Sequence, residues 1–339
     1  MDFLKLDRAR AQKMKLDIYL LAGQSNCSGA TQIAKAPEAV RDHNEYENVR
    51  FYYDRTDADG TVRYYRKDFC AVREGLGFDE GELVNDIPAA VLAATKTPFI
   101  GPELGMARAL NDKYAADDRC AVIIKCACGA TSMRLHEPLE EDLPEIRVQR
   151  FRAFGSWYPS ALPQTPSDDP SRPSGYLTRT FKKMISDTYA ALLDAGFAKE
   201  NIRYCALCWM QGESDRLHAE EYAQYFPFFT EEVRSHLSAA TGGDYDRLPI
   251  VMGEISETFR SAEPSVIEDN RRFIATQHAL AEKDGAITVI PTAKFALNRW
   301  ENGADIALGT DNFHWSYADM LSVGELFGKT AYDISHIER

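Results

Sequence analysis

The sequence predicts a single α/β domain: a mostly parallel sheet covered by helices on both faces. Three observations lead there. From residue 101 onward, short apolar runs of strand length alternate with longer segments of helical spacing. The first apolar run, LDIYLLAG over residues 16–23, is continuously apolar, as strands buried on both faces are, and it ends in glycine. The 339 residues hold no internal repeat and no stretch of linker composition, so one domain over 1–339 is expected, with insertions at about 30–100 and 130–175.

The elements follow in order. After the strand at 16–23, VRFYYD and TVRYYR flank an Asp-Gly turn at 57–60 and read as a hairpin. Asp57 and Asp59 resemble a calcium loop, but Arg55 and Arg66 stand where its first and last carboxylates belong. A Gly- and acid-rich loop, REGLGFDEGE, comes next. Helical spacing covers 101–114, and a second core strand covers 120–127. Residues 130–175, rich in Pro, Ser and Asp, read as a lid or pocket wall. A helix at 174–195 closes on Gly196. Strands at 202–210, 248–255 and 287–291 then alternate with helices at 219–240, 264–284 and 317–337.

Composition narrows the function. With 52 acids against 39 bases the net charge is −13, the wrong sign for a phosphate-backbone binder, so nucleic acid is excluded as a partner. No run approaches the ~18 apolar residues of a membrane span. The charged start MDFLKLDRARAQKMKLD lacks the apolar stretch of a signal peptide, so a cytoplasmic protein is expected. Seven cysteines without such a signal argue for reduced thiols. Cys126/Cys128 and Cys205/Cys208 suggest zinc, yet both pairs sit in strand-like runs. Strand residues three apart point to opposite faces, so Cys205 and Cys208 should not converge, and no metal is expected.

Ligands of open α/β sheets bind at the carboxyl ends of the strands. Ser25, in Gly23-Gln24-Ser25-Asn26, sits on a strand-to-helix turn that exposes its hydroxyl, as a nucleophile requires. Trp209-Met210-Gln211-Gly212-Glu213-Ser214-Asp215 ends another strand; Ser214 or Asp215 suits a helix cap, and the Gln211 amide suits donation to an oxyanion. Asp311-Asn312-Phe313-His314 offers a base with a carboxylate three residues upstream to fix its tautomer. The other histidines, His43, His136, His218, His236, His278 and His336, read as surface or pocket-wall residues. Gly129 follows KCAC, where glycine lets its N–H approach a ligand closely.

IYLLAGQSN, GPELGMARAL, IIKCACGATSM, WMQGESD and DNFHWSYADMLSVGELFG stand in an order and spacing that resembles the sialate O-acetylesterase/acetylxylan esterase family, a carbohydrate-esterase branch of the SGNH (GDSL-like) hydrolases. The resemblance spans roughly residues 16–335, although 30–100 and 135–175 carry no family motif. It implies a flavodoxin-like three-layer α/β/α sandwich. It also implies Ser25 as nucleophile, His314 as general base and acid, and Asp311 as orienting carboxylate, with Glu213 as second candidate. The Ser25 N–H, the Gly129 N–H and the Gln211 side chain would form the oxyanion hole. Cys27, Ser28 and Ala130 depart from the Met, Ala and Gly that relatives often carry there.

The expected activity is therefore removal of O-acetyl groups from a small acetylated sugar, of sialic acid or xylo-oligosaccharide type, without a cofactor. Gln24 belongs to the candidate substrate-binding set. Arg134 is a candidate for a sugar carboxylate, or a solvated loop arginine. Trp157 and Tyr158 either stack on a sugar ring or anchor their own loop. The alternatives are an esterase or thioesterase on another small acyl group, and a catalytically silent carbohydrate-binding relative. The second should have lost Ser25, His314 or Asp311, and all three are present.

Overall fold

The computed structural model describes residues 3, 6–56, 62–77, 99–116, 118–134, 155–163, 174–297 and 313–337. Among them the strands are β1 (Lys15–Gly23), β2 (Thr31–Gln32), β3 (Glu45–Thr56), β4 (Val62–Arg73), β5 (Phe99–Ile100), β6 (Arg119–Ala127), β7 (Ile202–Met210), β8 (Ile250–Gly253) and β9 (Ile287–Ile290). The helices are α1 (Arg8–Ala11), α2 (Ser25–Ser28), α3 (Pro102–Leu110), α4 (Tyr176–Asp194), α5 (Ala219–Thr241), α6 (Pro264–Lys283) and α7 (Tyr317–Ser335). Seven strands form one sheet in the order β4-β3-β6-β1-β7-β8-β9, and all of its pairings are parallel except β3 with β4. The hairpin expected in the 30–100 insertion thus exists, but it extends the main sheet: β3 pairs alongside β6. Its Asp-Gly turn and the second half of the acidic loop after it lie outside the described residues.

The two faces of the sheet bury separate cores. Along β1, Leu16, Ile18, Leu20 and Ala22 face α4, α5 and α6, while Tyr19 and Leu21 face α3 and α7. Strand β6 alternates likewise, with Val122 and Ile124 on the first side and Ala121 and Ile123 on the second. This is the mostly parallel sheet between two helical layers that the resemblance implies. On the α3–α7 side the two helices nearly touch. A Cβ on Gly105 would lie 2.1 Å from the Leu321 carbonyl oxygen, and one on Gly324 would lie 2.2 Å from that of Pro102.

The register of β7 against β1 shifts between Tyr204 and Ala206, a bulge that inserts Cys205 as an extra residue. The inward alternation restarts there, so Cys205 and Cys208 face the same core rather than opposite ones. Both are buried free thiols, and no group of three metal-binding side chains assembles among the described residues. Among those residues no helix is long and apolar enough to cross a membrane.

Chain order reverses about β1: β3 and β6 lie to one side of it and β7 to the other. The carboxyl ends of β6, β1 and β7 therefore lie side by side, where a doubly wound sheet leaves a crevice.

Candidate active site

Ser25 starts α2 directly after β1 and is half-buried. Gln24 before it is extended, and its N–H donates to the Met210 carbonyl of β7 at 2.9 Å. On the other side, Cys128 N–H donates to the Gly23 carbonyl at 3.1 Å, which brings the turn after β6 against Ser25. A Cβ built on Gly129 would sit 3.6 Å from the Ser25 Cβ. The N–H groups of Ser25 and Gly129 donate to no backbone or side-chain acceptor among the described residues. Both residues belong to turns that meet at the carboxyl ends of β1 and β6.

The neighbouring Asn26, which the sequence reading gave no role, joins the rest. Its Nδ2 donates to Glu213 Oε1 at 2.6 Å and to the Phe313 carbonyl at 3.1 Å, the peptide that leads into His314. The half-buried His314 lies in the segment before α7, held by the Thr31 hydroxyl donating to the Trp315 carbonyl at 3.0 Å. Glu213 is fully buried, and its Oε2 has no hydrogen-bond partner among the described residues. Burial, with the charge of Asp215 adding to it, raises its pKa above the ordinary 4.5, and the Asn26 amide, a backbone N–H and the nearby charge of His314 offset this only in part. A buried carboxylate close to an imidazole favours the ring's charged form. Asp311, the first sequence candidate for that role, lies outside the described residues, as does His136. Five other histidines are engaged elsewhere: His43 with Glu38, His218 with Glu221, His236 with Ser186, His278 with Glu254 and His336 with Asp17.

Gln211 departs from expectation. It is fully buried, and its Nε2 donates to Asp215 Oδ2 at 2.5 Å and to the Thr131 carbonyl at 3.1 Å. Both N–H bonds are thus spent inside the protein rather than aimed at an oxyanion. Asp215 is the centre of this cluster. Its carboxylate also accepts from the N–H of Met133 at 3.0 Å and of Arg134 at 3.4 Å, fixing the segment that follows Gly129. Burial pushes Asp215 up to about 6 despite the Met133 N–H, the Gln211 amide and the Arg134 charge.

The candidate sugar contacts are corrected as well. Arg134 is 5% exposed and its charge acts on Asp215, so it is not a solvated loop residue. Gln24 is buried, with its Oε1 accepting from the Ser214 N–H at 3.2 Å. Trp157 is wholly buried, edge-on to Trp209 at 5.0 Å and donating to the Thr131 hydroxyl at 3.1 Å. Tyr158 is buried against Tyr225 at 4.9 Å. Both rings anchor their loop and leave no face for a sugar. The aromatic residue that is open beside His314 is Phe313, 42% exposed and edge-on to Phe259 at 5.5 Å.

With this geometry in place, the family can be named. The profile of the sialic acid-specific acetylesterases, a family of carbohydrate esterases, matches residues 15–332. The chain belongs to that family. Membership makes it a carbohydrate acetylesterase, a hydrolase of O-acetyl esters. Solved structures share the fold at low identity. NanS is 16% identical with a TM-score of 0.56, over 95% of this chain and 98% of that one. A protein from Arabidopsis thaliana is 15% identical with a TM-score of 0.53, over 95% and 99%. A carbohydrate acetylesterase from Xanthomonas citri is 13% identical with a TM-score of 0.53, over 95% of this chain and 57% of that one. No curated protein sequence matches the chain.

Proposed function

We propose that the protein is a serine esterase that removes O-acetyl groups from small acetylated sugars through an acetyl-Ser25 intermediate. The observation that carries this reading is the contact of the Ser25 turn with Gly129, two residues whose N–H groups donate to no acceptor among the described residues. Ser25 Oγ attacks the acetyl carbonyl while His314 takes its proton. The two N–H groups hold the resulting oxyanion, and each such donor typically contributes about 10²–10³ in rate. His314 then gives its proton to the sugar oxygen as the C–O bond breaks. Water, deprotonated by His314, attacks the acetyl carbonyl and releases acetate with the serine restored. Glu213 stabilises the imidazolium from its buried position, and Gln211 holds the Thr131 carbonyl so that the Gly129 turn keeps its place. Phe313 offers its open ring to the sugar, since Trp157 and Tyr158 are buried.

The test is hydrolysis of p-nitrophenyl acetate, butyrate and octanoate by the wild type and by Ser25→Ala, followed by 9-O-acetylated sialic acid and acetylated xylo-oligosaccharides. Turnover that falls with chain length and vanishes in the variant is expected, with one of the two sugars preferred. Turnover that survives Ser25→Ala would discard the nucleophile.

A further inference from the structure

An ion pair sealed from solvent lies beneath the Ser25 turn, and the chemical steps above give it no task. Lys125 lies third from the carboxyl end of β6, an otherwise apolar strand apart from its first residue, and both Lys125 and Glu103 are 0% exposed. Lys125 Nζ donates to Glu103 Oε2 at 2.9 Å and to the Ser28 carbonyl at 2.8 Å. The ammonium also lies 4.6 Å from the centroid of the Tyr53 ring and 5.3 Å from that of Phe51. Glu103 Oε1 accepts from the Gly101 N–H at 3.0 Å. The cluster therefore joins the nucleophile turn, the start of α3 and β6.

Stability does not explain it. A buried ion pair can often be replaced by apolar side chains with no loss, because desolvation offsets the attraction. Its attachment point is more telling. Ser28 is the last residue of the four-residue α2 that Ser25 begins. So short a helix cannot hold itself, since nucleation is costly and few internal bonds repay it. Its N-terminal side is tied through the Gln24 N–H, which donates to the Met210 carbonyl of β7 at 2.9 Å. Its C-terminal side is tied by Lys125. Just beyond, Gly29 has φ 98, and a Cβ there would lie 2.7 Å from both Gly101 N and Gly77 Cα. The turn is thus pressed onto the segment that Glu103 fixes.

We propose that Lys125 and Glu103 are positioning residues for catalysis, a buried tether that fixes the turn carrying Ser25. The inference rests on the reading of Ser25 as nucleophile. The tether sets where the hydroxyl and its own N–H stand relative to Gly129, so its loss slows acylation without weakening sugar binding.

The test is the double variant Lys125→Met/Glu103→Gln, which cuts the bond to Ser28 while keeping an acceptor for the Gly101 N–H. Thermal stability, KM and kcat are measured beside the rate at which a fluorophosphonate labels Ser25. A melting temperature and KM near the wild type, with kcat and labelling reduced together by roughly 10- to 100-fold, is expected of sub-ångström misplacement. The acid limb of the pH profile keeps its position, because the base is untouched. A merely structural pair would lower the melting temperature and leave kcat of the folded fraction at its wild-type value, which would overturn the proposal. Should the double variant not fold, Glu103→Gln alone removes the carboxylate that anchors Lys125, and an unchanged kcat there overturns it equally. A wild type that is not labelled at Ser25, with turnover persisting in Ser25→Ala, is a separate result: it removes the nucleophile reading and the tether with it.

Discussion

Glu213 and Asp311 compete for one role; Glu213 lies among the described residues and Asp311 does not. Glu213 is fully buried and close enough to His314 to feel its charge, and Asn26 holds it there while also holding the peptide before His314. Glu213→Gln keeps the shape and removes the charge. We expect kcat to fall by about 10²–10⁴, since an orienting carboxylate neutralised in a comparable triad costs up to about 10⁴. The acid limb of the kcat/KM profile should also move to lower pH, because the variant no longer favours the imidazolium. A loss below about tenfold, with the large loss appearing in Asp311→Asn instead, would hand the role to Asp311. At this scale the sequence disclosed residue types well and their surroundings poorly. Ser25 and His314 were legible because polar groups at the ends of apolar strands have few uses but chemistry. Trp157 was not, because an indole in a polar loop looks alike whether it turns outward or plugs the core. Lys125 and Asn26 were missed for a related reason: their partners, Glu103, Ser28, Glu213 and Phe313, come from distant stretches of chain.

Elements were the most legible level, since apolar periodicity reports directly on which face is buried. The strand at 202–210 and the start of the helix at 219 coincide with β7 and α5 as built. The expected helix over 101–114 instead ends at Leu110 and tightens into a 3-10 turn over Asn111–Tyr114. What periodicity could not show was how closely elements approach. Helices α3 and α7 meet through Gly105 and Gly324, and α3 carries Glu103 while α7 begins three residues after His314. Gly324→Ala puts two effects in opposition. Alanine in a helix interior gains about 1 kcal/mol over glycine. Its Cβ would stand 2.2 Å from the Pro102 carbonyl oxygen, a backbone atom that no rotamer change can move. Overpacking of this kind costs about 1–3 kcal/mol, so a net loss of stability is expected. Urea unfolding decides it: a variant as stable as the wild type would mean that the helices separate freely.

Across the whole molecule, ionisable groups are buried at both ends of the sheet, and the two ends respond to pH in opposite directions. At the amino end of β1, burial pushes Asp17 up. The paired hydrogen bonds and charge of Arg203, the Tyr114 hydroxyl and Arg119 outweigh that and hold it below its ordinary 3.8. Arg203 Nε and Nη2 each reach the Asp17 carboxylate at 2.9 Å, and His336, just past α7, reaches it at 3.1 Å. A carboxyl whose folded pKa is depressed stabilises the fold above the unfolded value, and that stability is lost as pH falls through the folded one. At the carboxyl end the sign reverses. Asp215 is raised from 3.8 to about 6, so between those values the folded protein keeps a proton that the unfolded chain has released. Stability from Asp215 is therefore complete below 3.8 and is lost as pH rises through about 6, a change of about 3 kcal/mol at 1.36 kcal/mol per unit. An ionised Asp215 is thus a stability cost at neutral pH that keeps the segment after Gly129 in place. Unfolding free energies across pH for the wild type, Asp17→Asn and Asp215→Asn separate the two ends. The wild-type advantage over Asp17→Asn should shrink only on the acid side of 3.8, while that over Asp215→Asn should shrink as pH climbs from 3.8 toward 6. A flat Asp215 difference across that window would mean that its carboxyl titrates alike in both states, and that the cluster behind Gly129 is open to water.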